Sequence, residues 1–251
     1  MSLILVTGGT GTLGRPTVEL LRAAGHDVRI LSRTAGPDRI VADLSNEVDL
    51  ADAFAGVDTV LHLATSAGKA DVAQTERVVR ASEAAGVGHL VYISIVGVDQ
   101  VPYPYYRAKL ASEHLIEASS VPFTILRATQ FHDFIAMFLD LQRRLPVILA
   151  IDVPDQPIAV KEVAVRLAEL AQAQPAGRVA DIGGPEQLRL LDAIATLQRY
   201  SGTRKPVWRL WIPGKTMRAF REGRHMTPVP GYGTETFEEF AARRGAERGH
   251  N

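Results

Sequence analysis

The sequence predicts an α/β protein built on a doubly wound parallel sheet, and two observations lead to that fold class. Short apolar runs alternate with amphipathic helical segments through the first half of the chain. A glycine-rich turn joins the first apolar run to the first helical segment. Strands that are apolar on both faces are typical of a sheet covered by helices on both sides. Strict alternation of strand and helix indicates right-handed βαβ units.

The alternation can be followed element by element through the first half. The runs predicted to be strands are residues 3–6, 28–31, 40–42, 57–63, 90–94 and 123–126. The segments predicted to be helices are residues 16–24, 50–54, 72–85 and 105–118. Pro16 opens the first helix and Gly25 follows its end, which is the asymmetry expected at helix termini.

The regular alternation of strands and helices stops in the second half of the chain, and the pattern there predicts a cap on the sheet. The pattern predicts a helix over 131–145, an extended stretch over 146–158, a helix over 160–172, a strand over 179–182 and helices over 188–201 and 237–244. No repeat or linker separates this half from the first. We therefore expect a single domain over residues 1–251, with 129–251 contributing a small C-terminal cap on the substrate side and the last residues frayed.

Composition excludes several classes of chemistry and of partner. The 28 Lys and Arg residues balance the 28 Asp and Glu residues, so net charge gives no argument for nucleic acid or a membrane surface. The chain has no Cys, which excludes disulfides, thiolate nucleophiles and Cys-ligated metal. No His, Asp and Glu cluster has metal-ligand spacing, so no metal is expected. No signal peptide or membrane span is visible, and the cytoplasm is the expected location.

The glycine-rich turn is the strongest local signal. Gly8, Gly11 and Gly14 are spaced three residues apart, directly between the first strand and the first helix. Such a turn lets backbone approach a pyrophosphate at a helix N-terminus, with the third glycine allowing close helix–strand packing. The alternative is a turn that holds no ligand. The expected cofactor-binding residues here are Gly8, Thr10, Gly11, Thr12, Leu13, Gly14 and Arg15.

The opening T-G-G-T-G-T-L-G-R resembles the short-chain dehydrogenase/reductase superfamily, in its atypical branch of NmrA-like and isoflavone-reductase-like proteins. The resemblance covers most of the chain and continues in residues 93–98, 105–109, 126–131 and 156–158. It implies a Rossmann-type fold that binds NAD(P), in agreement with the periodicity. It also implies that Asp43 and Leu44 contact adenine, and that Ala64 and Thr65 pass beside the nicotinamide ribose. Asp43 could instead cap a helix beginning near Val48.

The end of the second predicted strand indicates which dinucleotide is bound. An NAD-binding turn of this kind usually places Asp or Glu there, to bond the ribose 2′-hydroxyl. This chain has Ser32-Arg33-Thr34 instead. Arg33, with Arg15, could hold a 2′-phosphate through charge-assisted bonds. Both arginines could also be ordinary surface residues, but their joint placement favours NADP(H).

Ser94, Tyr105 and Lys109 resemble the superfamily's catalytic group. Tyr105 and Lys109 are one helical turn apart and share a face. In that chemistry a tyrosine protonates the substrate carbonyl, a lysine assists it and holds the nicotinamide ribose, and a serine orients the carbonyl. Tyr106 could substitute for Tyr105. The alternative is an aromatic cluster packed on the cap, with Lys109 in solvent.

The substrate side is expected to follow the sixth strand, at Gln130, Phe131 and His132. His132 could replace tyrosine as proton donor, or be a hydrogen-bonded packing residue. Trp208 and Trp211 are expected to pack the cap. Together these residues predict an NADPH-dependent oxidoreductase acting on a small carbonyl, enone or quinone, as a monomer or homodimer. The alternatives are a non-catalytic NADP(H)-binding redox sensor, and an isomerase or dehydratase that uses the cofactor as a transient hydride store.

Overall fold

The structure is a computed structural model, and it describes residues 2–46 and 50–249. The start of the helix expected near Val48 lies outside the described residues. The described chain divides into two compact units. The first contains Met1–Ser94, Tyr103–Arg127 and Lys161–Ala180, and the second contains the remaining segments. The single domain with a cap stays a prediction.

The described strands and helices alternate as far as residue 128, except that the second and third strands follow one another with no helix between them. The strands are β1 (Leu3–Thr7), β2 (Asp27–Ser32), β3 (Arg39–Val41), β4 (Thr59–His62), β5 (His89–Ile95), β6 (Phe123–Ala128), β7 (Ile148–Ile151), β8 (Pro154–Asp155), β9 (Gly177–Arg178), β10 (Leu188–Arg189) and β11 (Val207–Leu210). The helices are α1 (Gly14–Ala23), α2 (Ala51–Phe54), α3 (Ala70–Ala85), α4 (Pro104–Glu117), α5 (His132–Leu141), α6 (Val160–Gln172), α7 (Leu190–Ser201), α8 (Lys215–Arg221) and α9 (Phe237–Gly249).

The first unit is built on a parallel sheet, which confirms the predicted fold class. Seven of the described strands form it, in the order β3-β2-β1-β4-β5-β6-β9. The strand order reverses between β1 and β4, which are parallel neighbours. In open α/β sheets, ligands bind at the carboxyl ends of the strands at such a switch point.

The core of the first unit comes from apolar strand residues covered by helices. Leu5, Val60, Leu90 and Ile125 have no exposed surface and belong to one cluster with residues of α2, α3 and α4. Burial of apolar surface from water is the dominant force that holds such helices on the sheet. α1 is amphipathic, as expected: Val18 and Leu21 are buried, and its charged residues are exposed.

The second unit has its own core. Its larger apolar cluster joins α5, α7 and α9 through Ile135, Leu197, Phe237 and Phe240. β7 pairs in parallel with β11, and β8 pairs antiparallel with β10. The amide of Gln156, which is fully buried, donates to Gly184 O at 2.9 Å and accepts from the Thr227 N–H at 2.7 Å.

Several predicted elements differ in the second half of the chain. The helix expected over 131–145 ends at Leu141, and the extended stretch that follows contains β7 and β8. The strand expected over 179–182 is wrong: β9 lies earlier, and Ile182 makes only an isolated bridge to Ala128. Residues 188–189 form β10 rather than the start of α7, and α9 continues to Gly249, five residues beyond the expected end at 244. The last two residues, where fraying was expected, lie outside the described residues. β11 and α8 were not predicted.

The packing role expected of the two tryptophans is also wrong. Trp208 is 61% exposed and Trp211 is 77% exposed. The Arg221 guanidinium lies 3.9 Å from the centre of the Trp211 ring, a cation–π contact at the surface. None of the described helices combines the length and the apolar character that a membrane span requires.

Candidate cofactor and catalytic site

The turn between β1 and α1 can be formed only with glycine at two positions. Gly8 has φ +70°, and a Cβ atom there would lie 2.8 Å from Ala64 N. A Cβ on Gly14 would lie 2.2 Å from Gly8 O. This third glycine therefore packs against the turn itself rather than against a strand. The Gly11 N–H donates to Gly8 O at 3.0 Å and closes the turn.

These residues fit a dinucleotide. The turn lies at the N-terminus of α1, where helix N–H groups and the helix dipole favour an anion. It also lies at the carboxyl end of β1, beside the switch point of the sheet. Gly11 and Thr12 are exposed, and no bulky side chain at residues 8–12 covers the backbone there. A pyrophosphate can therefore approach the backbone closely.

The end of β2 is positively charged, as expected. Arg33 is exposed, and within residues 2–46 and 50–249 its guanidinium makes no hydrogen bond or ion pair. The next carboxylate along the chain, Asp38, is paired with Arg22 at 3.0 Å. Arg15 is held over the turn, with Nε donating to Thr10 O at 2.9 Å. In an NAD-binding protein this position holds an Asp or Glu that accepts from the ribose 2′-hydroxyl. Here it holds Arg33, a cation without a partner among the described residues.

Asp43 caps a turn. Its Oδ1 accepts the Ser45 N–H at 2.9 Å, and its Oδ2 accepts from the Asn46 amide at 3.3 Å. This is the local bonding typical of Asp in turns. Leu44 is 6% exposed and belongs to the core of the first unit. Contact of these two residues with adenine stays a prediction.

The three expected catalytic residues all lie in the first unit. Lys109 is 3% exposed, and its Nζ donates to Ile93 O at 3.1 Å. That Nζ lies 6.0 Å from the centre of the Tyr105 ring, on the same face of α4. Ser94 follows Ile93 on β5 and is 2% exposed, and in the described part of the chain its Oγ has no hydrogen-bond partner. A buried hydroxyl without a partner is costly, so a ligand group or a water that bonds Ser94 Oγ would be favoured.

Tyr105 and Tyr106 occupy different environments. The Tyr105 hydroxyl lies 3.2 Å from Thr65 Oγ1, in the loop that follows β4. Tyr106 is 5% exposed and packs edge-on against its aromatic neighbours. Tyr105 is half-buried, so of the two it is the one accessible to a ligand at this loop.

Two residues near this group were missed by the sequence reasoning. His62, at the end of β4, lies between Thr7 Oγ1 at 2.7 Å and Thr75 Oγ1 at 3.1 Å. Burial, with a smaller contribution from the Lys109 charge, lowers its pKa to about 3, so its ring stays neutral. Asp71, on α3, is 1% exposed and bonds the loop at Thr65. His62 is a single polar residue in an apolar run, and Asp71 is one of several polar residues at the start of α3, so only the fold shows what they contact.

In the second unit, the three expected substrate residues follow β6. Gln130 and Phe131 are half-buried and lie beside Ile158, which donates its N–H to Gln130 O at 2.9 Å. His132 has no exposed surface. Its Nε2 bonds Pro157 O at 2.9 Å, and its ring lies against Phe237 and Phe240. These contacts favour the packing interpretation of His132 over the proton-donor one.

Comparison with known proteins agrees with this geometry. A family model described as NAD(P)H-binding matches residues 8–171. A (4-alkanoyl-5-oxo-2,5-dihydrofuran-3-yl)methyl phosphate reductase from Streptomyces griseus is 30% identical over 213 residues, covering 80% of this chain and 74% of the relative. Quinone oxidoreductase 2 of Escherichia coli is 28% identical over 136 residues, covering 50% of this chain and 48% of the relative.

Solved structures show the same fold. The NADPH-dependent quinone oxidoreductase of Escherichia coli, complexed with NADPH, superposes with a TM-score of 0.78 at 20% identity, covering 96% of this chain and 99% of that one. The triphenylmethane reductase of Citrobacter, complexed with NADP(H), superposes with a TM-score of 0.76 at 19% identity, covering 96% of this chain and 99% of that one.

Proposed function

Because the chain belongs to the NAD(P)H-binding family of atypical short-chain dehydrogenase/reductase proteins, we propose that it is an NADPH-dependent reductase of a small carbonyl, enone or quinone. One observation carries the proposal beyond cofactor binding. The ammonium of the buried Lys109 is bonded to Ile93 O, beside the buried and unsatisfied hydroxyl of Ser94, and lies 6.0 Å from the ring of the accessible Tyr105. A protein that only senses the cofactor has no need for these three groups.

The residues that would hold NADPH are those of the turn and of the strand ends beside it. Gly8 and Gly14 give the backbone its approach to the pyrophosphate, and Arg15 and Arg33 are placed for the 2′-phosphate. Ala64, Thr65 and Lys109 are the proposed contacts at the nicotinamide end. When bound, NADPH supplies the hydride that reduces the substrate.

The protein's own groups would supply orientation and a proton. Ser94 Oγ would donate a hydrogen bond to the substrate oxygen, since it is buried and otherwise unsatisfied. The Tyr105 O–H bond breaks as its proton passes to that oxygen, and Tyr105 regains a proton from water after the product leaves. The Lys109 ammonium, fixed by Ile93 O, stabilises the negative charge that develops on the tyrosine oxygen.

The test is NADPH oxidation with a panel of aldehydes, enones and quinones, in the wild type and in single Tyr→Phe variants. Tyr105→Phe should lower kcat by about 100-fold, the usual contribution of a positioned general acid. Its Kd for NADPH should stay unchanged, because the phenol does not bind the phosphates. Tyr103→Phe is the matched control on the same segment and should keep wild-type kcat.

Tyr106→Phe decides which tyrosine is the proton donor. If Tyr106→Phe abolished turnover while Tyr105→Phe kept it, the assignment of the donor would be wrong. If the wild type bound NADPH tightly but did not oxidise it in the presence of any acceptor in the panel, the reductase proposal would be refuted. The redox-sensor alternative would then stand.

A further inference from the structure

The small parallel sheet of the second unit has an outer face made of apolar side chains. In its register, Trp208 of β11 lies opposite Leu149 of β7, and Leu210 lies opposite Ile151. The other two residues of β7 are buried in the core. Because successive side chains of a strand point to opposite faces, these four residues share the outer face. All four keep exposed surface, where a sheet that faces water normally carries polar residues.

The apolar surface continues past the end of β11. Trp211 and Ile212 follow the strand and are 77% and 44% exposed. Besides its contact with the Trp211 ring, Arg221 donates from Nη2 to Ile212 O at 2.8 Å, so α8 holds this segment in place. Single exposed apolar residues are ordinary, but a contiguous group marks an interaction surface. We call this group the tryptophan face; it consists of Leu149, Ile151, Trp208, Leu210, Trp211 and Ile212.

The segment that carries most of the tryptophan face is strongly basic. Residues 201–224 contain seven Lys and Arg residues and a single Glu. Two of the seven are paired with carboxylates. Arg204, Lys215 and Arg218 are exposed, and in the described part of the chain no carboxylate lies within ion-pair distance of them. The balanced net charge of the whole chain therefore conceals a local excess of cations.

This charge determines which partner the tryptophan face fits. A second copy of the chain would meet it across a two-fold axis, with the same cations on both sides. Like charges repel, so the excess of cations opposes such a dimer and favours an anionic partner. Exposed Trp, Leu and Ile side chains among Lys and Arg are typical of segments that lie at lipid headgroups. An indole ring suits that boundary, because it is apolar with one polar N–H group.

We propose that the tryptophan face docks the protein on the surface of an anionic lipid bilayer. Trp208, Trp211 and the aliphatic residues of the face lie at the level of the headgroups, and the neighbouring cations lie against the lipid phosphates. The inference goes beyond the proposed function and does not depend on it. All residues of the face belong to the second unit, whereas the proposed catalytic residues belong to the first.

The two tryptophans of the chain make a direct test possible, because both belong to this face. Tryptophan emission therefore reports on the face alone. The full chain, without nucleotide or acceptor, is titrated with vesicles of equal parts phosphatidylcholine and phosphatidylglycerol. The emission should shift to shorter wavelength, and brominated acyl chains should quench it. Vesicles of phosphatidylcholine alone should bind at least about tenfold more weakly, and added salt should weaken binding to the mixed vesicles.

A charge variant keeps both tryptophans and tests the cations. Arg204→Gln combined with Arg218→Gln should weaken binding to the mixed vesicles by at least about tenfold, measured by the same titration and by vesicle flotation. Both residues are exposed, so the fold should be kept, and circular dichroism checks this. Lys161→Gln is the matched control, since Lys161 is an exposed cation of α6 in the first unit. It should bind like the wild type.

An apolar variant tests the other half of the interaction. Leu210→Ser should weaken binding to the mixed vesicles by about fivefold, because less apolar surface leaves water on docking. Val165→Ser is the matched control: Val165 lies on α6 in the first unit and, like Leu210, is 40% exposed. This control should leave the binding unchanged.

Tryptophan emission that the mixed vesicles neither shift nor quench would overturn the inference, and so would a charge variant that binds like the wild type. A dimer in gel filtration that Trp208→Ala converts to a monomer would assign the face to a second copy of the chain. Polyglutamate that binds more tightly than the mixed vesicles, with the same loss in the charge variant, would assign it to an acidic protein segment. Either assignment would refute docking on a bilayer.

Discussion

Arg33 is the residue on which the choice between NADPH and NADH depends. It follows β2, is exposed and has no partner among the described side chains, while Asp38 is paired with Arg22. A hydrogen bond to a charged group contributes about 1.5–3 kcal/mol. A single arginine on a 2′-phosphate can therefore account for a preference of at least tenfold.

Arg33→Asp should raise the Kd for NADPH by at least about tenfold, because the 2′-phosphate loses a cation and meets a carboxylate. The Kd for NADH should fall or stay constant, since the new carboxylate can accept from a 2′-hydroxyl. Arg204→Asp is the matched control, with the same charge change on an exposed arginine of the second unit. Titration by nucleotide fluorescence checks both. An equal loss for NADPH and NADH would contradict the assignment.

The sequence predicts individual residues well where a local rule applies to them. Gly8 and Gly14 follow from the turn, and Tyr105 and Lys109 follow from helical spacing and the resemblance. Asp71 could not be found in this way. Its partners are Thr65 and Ser66 in the loop after β4, and the pattern of residues along the chain does not show that a loop and a helix start are bonded in this way.

At the scale of elements, α4 is the helix that carries the proposed catalytic pair, Tyr105 and Lys109, and a buried ion pair joins it to β6. Arg127 Nε and Nη2 donate to the two carboxylate oxygens of Glu113, at 2.9 and 2.6 Å. Both side chains are almost completely buried. Removing one partner of such a pair leaves an uncompensated charge in the interior.

Glu113→Ala should therefore lower the free energy of unfolding by about 3–5 kcal/mol. Urea denaturation followed by circular dichroism measures it. Glu117→Ala, an exposed position on the same helix, is the control and should change stability by less than about 0.5 kcal/mol. A Glu113→Ala variant as stable as this control would show that the pair does not hold α4 in place.

Elements are predicted well where strand and helix alternate, and less well afterwards. β1 to β6 are close to their expected bounds, because buried parallel strands are continuous apolar runs. β8, β9 and β10 each contain two residues, too few to show a period. β11 was missed although Val207 and Trp208 are β-branched and aromatic residues, which are typical of a strand.

At the scale of the whole molecule, a balanced net charge is compatible with the local cationic site proposed for the dinucleotide. The 28 basic and 28 acidic residues cancel, yet Arg15 at the start of α1 and Arg33 after β2 are both exposed, where the dinucleotide is expected. The absence of Cys leaves oxygen and nitrogen groups to carry the chemistry. A family that binds NAD(P)H, a turn shaped for pyrophosphate and a Ser-Tyr-Lys group in one unit together support hydride transfer.

A single-turnover experiment tests this claim most directly. The protein is loaded with one equivalent of NADPH and mixed with an excess of the best acceptor from the panel, and both nucleotide and acceptor are quantified. The account predicts that each bound NADPH is oxidised with the formation of one reduced acceptor, and that Tyr105→Phe slows this step without releasing the nucleotide. Bound NADPH that stays reduced in the presence of every acceptor would contradict it.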